Sequence, residues 1–228
     1  MRRRIAIAGA VIGTAAGITI GRTVRWWRAW GVDPTEAAKA LAGDDLVPTP
    51  TAIETRGITI DAPPEAVWPW LVQMGCDRAG FYSWDRLDNG GRPSASRIHP
   101  EWQTLAVGDR VLCTPDGRFW FDVERLESER VLVLRSSIDL GRRQPFDTSE
   151  PRPRFFADGI WEFVLAELPE GKTRLVVRSF GIARPRLLGA VNLVFWDPAH
   201  VVMQTRQLRN LKRLVESPLQ EPVLVAAA

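Results

Sequence analysis

The amino-acid sequence predicts an α+β fold in which a curved antiparallel sheet wraps a long C-terminal helix, behind an N-terminal helix of membrane type. Three observations predict it. Several short segments between residues 58 and 179 alternate apolar and polar side chains at the period of a strand. Residues 197–216 repeat apolar positions at helical spacing. Residues 5–20 carry no charge. At 228 residues and 45% apolar content, the chain is long enough and greasy enough to bury a full core.

Arg2, Arg3 and Arg4 precede the uncharged run Ile5–Ile20, IAIAGAVIGTAAGITI. At about 1.5 Å per residue this run covers roughly 24 Å, short of the ~30 Å hydrocarbon core of a bilayer. GRTVRWWRAW extends it and sets Trp26, Trp27 and Trp30 beside Arg22, Arg25 and Arg28, the pattern of an interfacial end with snorkelling arginines. Residues 1–30 therefore read as a single-pass anchor, placing the protein at a membrane. Three arginines on each side leave its orientation open. A cleaved signal segment and a buried helix are the alternatives; no clear small-x-small site ends the run. Gly9, Gly13, Gly17 and Gly21 share one helical stripe, which permits a homodimer by close helix approach or reflects residues common in such helices.

The positive charge belongs to this segment. Residues 1–30 hold six arginines and no acid, so a whole-chain charge of +3 leaves −3 on residues 31–228. An acidic body argues against nucleic acid as a partner, because that binding needs a basic folded face.

Asp33-Pro34-Thr35-Glu36 predicts a helix start that runs to Gly43, and DDLVPTPT predicts an extended connector. Together they make residues 31–52 a linker before a domain at 53–216 and a tail at 217–228. The most informative run is ETRGITIDAPPEAVWPWLVQMG. Ile58 and Ile60 alternate with polar neighbours as a strand does. Asp61 or Ala62 caps a helix opened by Pro63-Pro64, bent at Pro69 and ended by Gly75. This run, with GFYSWDRLDN, RIHPEWQTLAVGDRV and the long C-terminal helix, resembles the START-like superfamily (SRPBCC, polyketide cyclase/dehydrase and lipid transport) over about Ile53–Glu216. The resemblance implies a helix-grip fold with a cavity, and activities that vary within the family.

The remaining elements fit that order. Strands are expected at Arg110–Thr114, Phe119–Arg125, Val131–Ser137, Ile160–Leu168 and Thr173–Ser179. Asp197-Pro198 opens a helix to about Glu216, with Val201, Leu208, Leu211 and Val215 inward and Arg206, Arg209, Lys212 and Arg213 mostly outward. Asp139–Asp158 reads as a long loop whose Arg142, Arg143, Arg152 and Arg154 are solvated or touch lipid headgroups. A sheet gripping one long helix leaves a hollow wherever side chains do not fill it.

Catalytic templates are missing: the sequence has no GxSxG, P-loop, HExxH or paired cysteine ligands. His99, Glu101 and His200 supply the residue types of a two-His-one-carboxylate site, but ordinary hydrogen-bonded imidazoles are the plainer reading. Neither metal nor cofactor is expected. Cys76 and Cys113 are isolated and read as buried free thiols.

GFYSWDRLDNGG sets Phe81, the only tyrosine, Tyr82, and Trp84 within four residues. They either complete the core or line a pocket mouth, and the resemblance implies a short helix over one end of the cavity here. Asp85 is a general base if buried beside Arg97, or else an ordinary surface or capping carboxylate. NGG at Asn89–Gly91 is a turn that lets this roof move. The candidate ligand contacts are Phe81, Tyr82, Trp84, Asp85, Arg97, His99, Phe121, Trp161 and Phe163. The expected function is membrane-tethered binding of a hydrophobic small molecule such as a lipid, isoprenoid or polyketide-like compound. The alternatives are a cyclase or dehydratase acting in the same cavity through Tyr82, Asp85, Arg97 or His99, and a non-catalytic scaffold dimerising through the glycine stripe.

Overall fold

The computed structural model describes residues 28–185 and 197–217. The uncharged run, its glycine stripe and the tail after Ser217 lie outside the described residues. Among the described residues, no helix is long and apolar enough to cross a membrane.

The chain is α+β. Helix α1 (Pro34–Ala37) is followed by β1 (Ala52–Ile60), α2 (Pro64–Val72) and α3 (Asp85–Asp88). Strands β2 (Arg110–Leu112), β3 (Trp120–Glu127), β4 (Val131–Asp139), β5 (Gln144–Pro145), β6 (Phe156–Leu168) and β7 (Lys172–Arg184) come next, and α4 (Asp197–Glu216) closes the order. The seven strands form one curved antiparallel sheet ordered β1-β7-β6-β4-β3-β2, with β5 paired to β4. A long helix against the concave side of such a sheet is the arrangement expected of a helix grip.

Alternation decides which side chains meet that helix. Leu132 and Leu134 of β4, Phe163 and Leu165 of β6, and Leu175 and Val177 of β7 pack with Val67, Trp70, Leu71 and Met74 from α2 and its end, and with Leu208 and Leu211 of α4. Burying side chains of this size contributes roughly 1.5–3 kcal/mol each, which makes this cluster the main source of stability. Val215 packs against the same core, while Arg206, Arg209 and Arg213 point outward. Lys212 is half-buried and reaches Glu216 at 2.8 Å.

The other face of the sheet is covered by residues 31–50. Val47 joins Val131, Val133, Ile160 and Phe180 in a second apolar cluster. Three arginines pin this strap to the sheet. Arg178 reaches Asp44 at 2.7 Å and donates to the carbonyls of Ala37 and Lys39. Arg174 reaches Glu36 at 2.6 Å, and Arg125 reaches Asp45 at 2.7 Å. Helix α1 therefore ends at Ala37 and not at the expected Gly43, since the following carbonyls are turned toward Arg178. Gly43 instead lies against the sheet: an added Cβ would sit 3.0 Å from Val133 Cγ1 and 3.1 Å from Glu162 Oε2.

Other boundaries also moved. The expected loop 139–158 contains β5 and the extended end of β4, because Asp139 pairs with both Gln144 and Phe156. Helix α2 begins at Pro64 behind Pro63, and Gly75, at φ 144°, follows it.

Candidate functional site

A hollow of about 900 Å³ separates the sheet from the N-terminal half of α4. Its origin is a gradient in side-chain size along three strands. Inward positions on β6 run Leu165, Phe163, Trp161, Gly159, Ala157; on β7 they run Leu175, Val177, Ser179, Gly181, Ala183. On β4 the sequence is Leu132, Leu134, Ser136, Ile138. Large residues fill one end of the concave face; glycine, alanine and serine leave the other end empty. Gly159 and Gly181 are direct partners across β6 and β7, so the floor there is bare backbone. Facing it, α4 exchanges Leu208 and Leu211 for His200, Met203, Gln204 and Gln207. The volume lies in the range of small-molecule sites.

Aromatic rings form one wall. Phe81 lies 5.8 Å from Trp161 and 6.4 Å from Phe121, and Phe121 lies 5.4 Å from Trp161, ring centre to ring centre. These distances suit tilted and edge-on aromatic packing. Phe119 and Cys113 adjoin them on the wall.

Polar groups punctuate the apolar lining. Trp161 Nε1 donates to Gln204 Oε1 at 2.9 Å, and Gln204 Nε2 donates in turn to Gln207 Oε1. At the β1 side, Glu54 Oε2 lies 2.8 Å from His200 Nδ1 and 2.8 Å from Arg56 Nη2. Burial pushes the Glu54 carboxyl up, but the His200 and Arg56 contacts outweigh it and hold the group below its ordinary value. On the opposite face of the sheet, Asp158 is paired with Arg135 and Arg152, both at 2.9 Å, and accepts from Ser137. Asp88 differs. Burial pushes its carboxyl up to about 6, with Asp85 adding to the rise while the Ser83 hydroxyl and the Trp84 amide offset part of it. Ser83 nevertheless falls short of hydrogen-bond geometry, and both Asp88 oxygens are buried without a partner among the described residues.

The candidates named from sequence divide into three groups. Phe81, Phe121 and Trp161 line the hollow. Tyr82 and Phe163 sit in the packed core. Tyr82 meets Trp70 edge-on at 5.9 Å, its hydroxyl accepts from Gln73 Nε2 at 2.8 Å, and burial pushes the phenol above its ordinary value. Trp84, Asp85, Arg97 and His99 lie off the hollow. Arg206 covers Trp84 at 4.0 Å from the ring centre. Asp85 accepts from Ser94 Oγ at 2.7 Å and from Asn89 Nδ2 at 3.1 Å, which ties the loop after α3 back to it and does not cap the helix. Arg97 is exposed, its carbonyl accepting from Gln73, and His99 stacks on Trp102 at 4.2 Å while meeting Glu101. His99 and His200 do not come together, and no metal-holding group of residues occurs among those described. The Phe81–Gly91 stretch does supply part of the roof, but through Phe81, Ser83, Leu87 and Asp88.

Sequence reasoning passed over Glu54, Asp88, Gln204 and Gln207, and the glycines at 159 and 181. The glycines carried a readable signal, since a glycine inside a strand pattern marks a bulge or a place where something approaches the backbone. The carboxylates carried none. Their value comes from burial, which the sheet register decides.

No family model matches the sequence, and no curated protein matches it. Solved structures resemble the fold at low identity. Protein Ms6760 from Mycobacterium smegmatis aligns at 13% identity over 74% of this chain and 93% of its own, with a TM-score of 0.45. A protein from Arthrobacter aurescens aligns at 12% over 84% of this chain and 99% of its own, with a TM-score of 0.43. DynU16, a protein of the dynemicin biosynthetic locus, aligns at 15% over 72% of this chain and 48% of its own, with a TM-score of 0.40. Function at this level of likeness rests on the site itself.

Proposed function

We propose that the protein encloses a mostly apolar, elongated small molecule between the bare end of its sheet and α4. The observation that carries this is the hollow of about 900 Å³, walled by Phe81, Phe119, Phe121 and Trp161 and floored by Gly159 and Gly181. A hollow of this size with mostly apolar walls leaves those walls against water, and a bound apolar molecule covers them. The lining is mostly apolar, with charged side chains at Arg28, Glu54, Asp88 and, when protonated, His200. Glu54 and His200 lie under edge strand β1, while Phe121 lies on β3, four strand spacings away in the sheet order, or roughly 19 Å along the curve. A lipid, isoprenoid or polyketide-like compound has that form.

Membrane tethering is part of the proposal through residues 1–30, whose sequence supports an anchor. The cyclase or dehydratase alternative named Tyr82, Asp85, Arg97 and His99 as its machinery. Those side chains are engaged elsewhere, by Gln73, Ser94 and Asn89, solvent, and Glu101 respectively. Binding without transformation is the better-supported reading.

Organic extraction of the full chain purified in detergent, followed by mass spectrometry, tests it. An apolar compound at about one molecule per chain is expected, and reduced recovery from Gly159→Val, whose side chain enters the hollow. Equal background from both forms would overturn the proposal.

A further inference from the structure

Two carboxylates face the hollow, and one is answered: Glu54 meets Arg56 and His200. Asp88 is the other, with both oxygens buried and no hydrogen-bond partner among the described residues. Leaving an acceptor of this kind unmet costs about 1–3 kcal/mol, more when charged, so such a group is held for something that occupies the space beside it.

The position of Asp88 is fixed by its surroundings. It ends α3, and its amide donates to the Trp84 carbonyl at 3.1 Å. Two residues on, Gly90 lies against Pro115, where an added Cβ would come within 2.6 Å of the proline ring. Asn89 is tied to Phe81, Asp85 and Ser94. The carboxylate is thus anchored beside Pro115, between β2 and β3.

We propose that the hollow selects an amphiphile with a protonated amine, which Asp88 receives while the apolar body lies along Phe81, Phe121 and Trp161. This rests on the enclosed-molecule reading above and names the ligand class. An ionised carboxylate only accepts, so its partner must donate. A neutral hydroxyl or a water supplies donors and leaves the charge uncompensated. An alkylammonium supplies three donors and the opposite charge, so it makes an ion pair where a hydroxyl makes only a hydrogen bond to the charged acceptor. A carboxylate-headed ligand, such as a fatty acid, would bring like charge against Asp88.

The test uses three soluble probes with one body and different heads: 4-phenylbutylamine, 4-phenylbutanol and 4-phenylbutyrate. Their affinities for the full chain in detergent are read at pH 7.5 by ligand-observed NMR, with empty micelles as the blank. The amine is expected to bind about tenfold tighter than the alcohol, and the butyrate weakest. Asp88→Asn should bring amine and alcohol within about twofold of each other chiefly by weakening the amine, and an unchanged near-UV circular dichroism spectrum reports an intact fold. Equal wild-type affinities, or an amine preference that survives in D88N, overturn the head-group proposal and leave the cavity reading standing. If no probe binds beyond the micelle blank, both fail. Should D88N not fold, the wild-type ratios alone decide.

Discussion

Glu54 on β1 and His200 on α4, 146 residues apart in sequence, meet at 2.8 Å on the wall of the hollow. The contact joins the edge strand of the sheet to the first turns of the gripped helix. It also leaves a carboxylate and two nitrogenous groups largely out of water, with the Glu54 side chain 8% exposed and that of Arg56 1%.

Replacing Glu54 by Gln should therefore cost about 2 kcal/mol near pH 7, since the buried ion pair with Arg56 and the contact with His200 lose their negative charge. The pH dependence has a definite sign. The Glu54 carboxyl is held below its ordinary value of 4.5, so its contribution is complete above that pH and is lost as pH falls through the lowered folded value. Guanidinium unfolding at pH 7 and at pH 3 should show a gap between E54Q and wild type that narrows in acid. A gap that stays constant would mean the carboxylate is not ionised in the folded protein.

Gly159 and Gly181 pair across β6 and β7 yet should respond in opposite ways. A Cβ at Gly159 meets only the Phe180 carbonyl oxygen, at 3.5 Å, whereas one at Gly181 would lie 2.7 Å from the Asp158 carbonyl oxygen and 2.9 Å from Gly159 Cα. Gly159→Val should keep or raise stability by up to about 1 kcal/mol while blocking the hollow. Gly181→Ala should lose about 2 kcal/mol through backbone strain. Thermal unfolding midpoints moving in the same direction would contradict this account of the floor.

Cys113 offers a test of occupancy. Its thiol lines the hollow, and burial pushes it above the ordinary thiol range, with Cys76 and Asp122 adding to the rise. Cys76 is also free and shifted upward, chiefly by burial. At pH 7.5 both should react with iodoacetamide at least about tenfold more slowly than free cysteine, because the thiolate is the nucleophile. Adding the tightest of the phenylbutyl probes should slow Cys113 further and leave Cys76 unchanged. Equal protection of both would place the probe elsewhere or report a general tightening of the fold.

The fold was largely legible because its signals are local. Ile58 and Ile60 alternating before Pro63-Pro64, and the apolar stripe from Val201 to Val215, need no knowledge of the rest of the chain. Site residues on the strands were legible for the same reason: Phe121 and Trp161 lie at positions whose face follows from alternation. Tyr82 went elsewhere because its direction depends on a backbone at φ 59°, which tucks the ring against Trp70. No pattern in GFYSWD announces that turn. Asp88 and Glu54 were missed because a carboxylate gains significance only from what surrounds it. His200 reaches Glu54 from 146 residues away, and the burial that sets Asp88 apart comes from the packing of the roof around it.

Glu162 gives the last prediction, on the face away from the hollow. It is fully buried beneath the 31–50 strap, where Gly43 N–H donates to its Oε2 at 2.8 Å and Oε1 has no partner among the described residues. Burial pushes its carboxyl up to about 7, Asp44 adds to the rise, and the Gly43 amide, Arg178 and Arg125 oppose it. A raised carboxyl stabilises the fold fully below its ordinary value of 4.5 and loses that contribution as pH climbs to about 7. Glu162→Gln keeps an acceptor for Gly43 and cannot ionise. At pH 8 it should be more stable than wild type by about 2 kcal/mol, less than the roughly 3 kcal/mol that the shift implies because the new amide donors also lack partners. At pH 4 the advantage should vanish or reverse. Denaturant unfolding at the two pH values decides it: a Gln form that is weaker at both would show that the strap tolerates the ionised carboxylate, and that Oε1 finds a partner in solution.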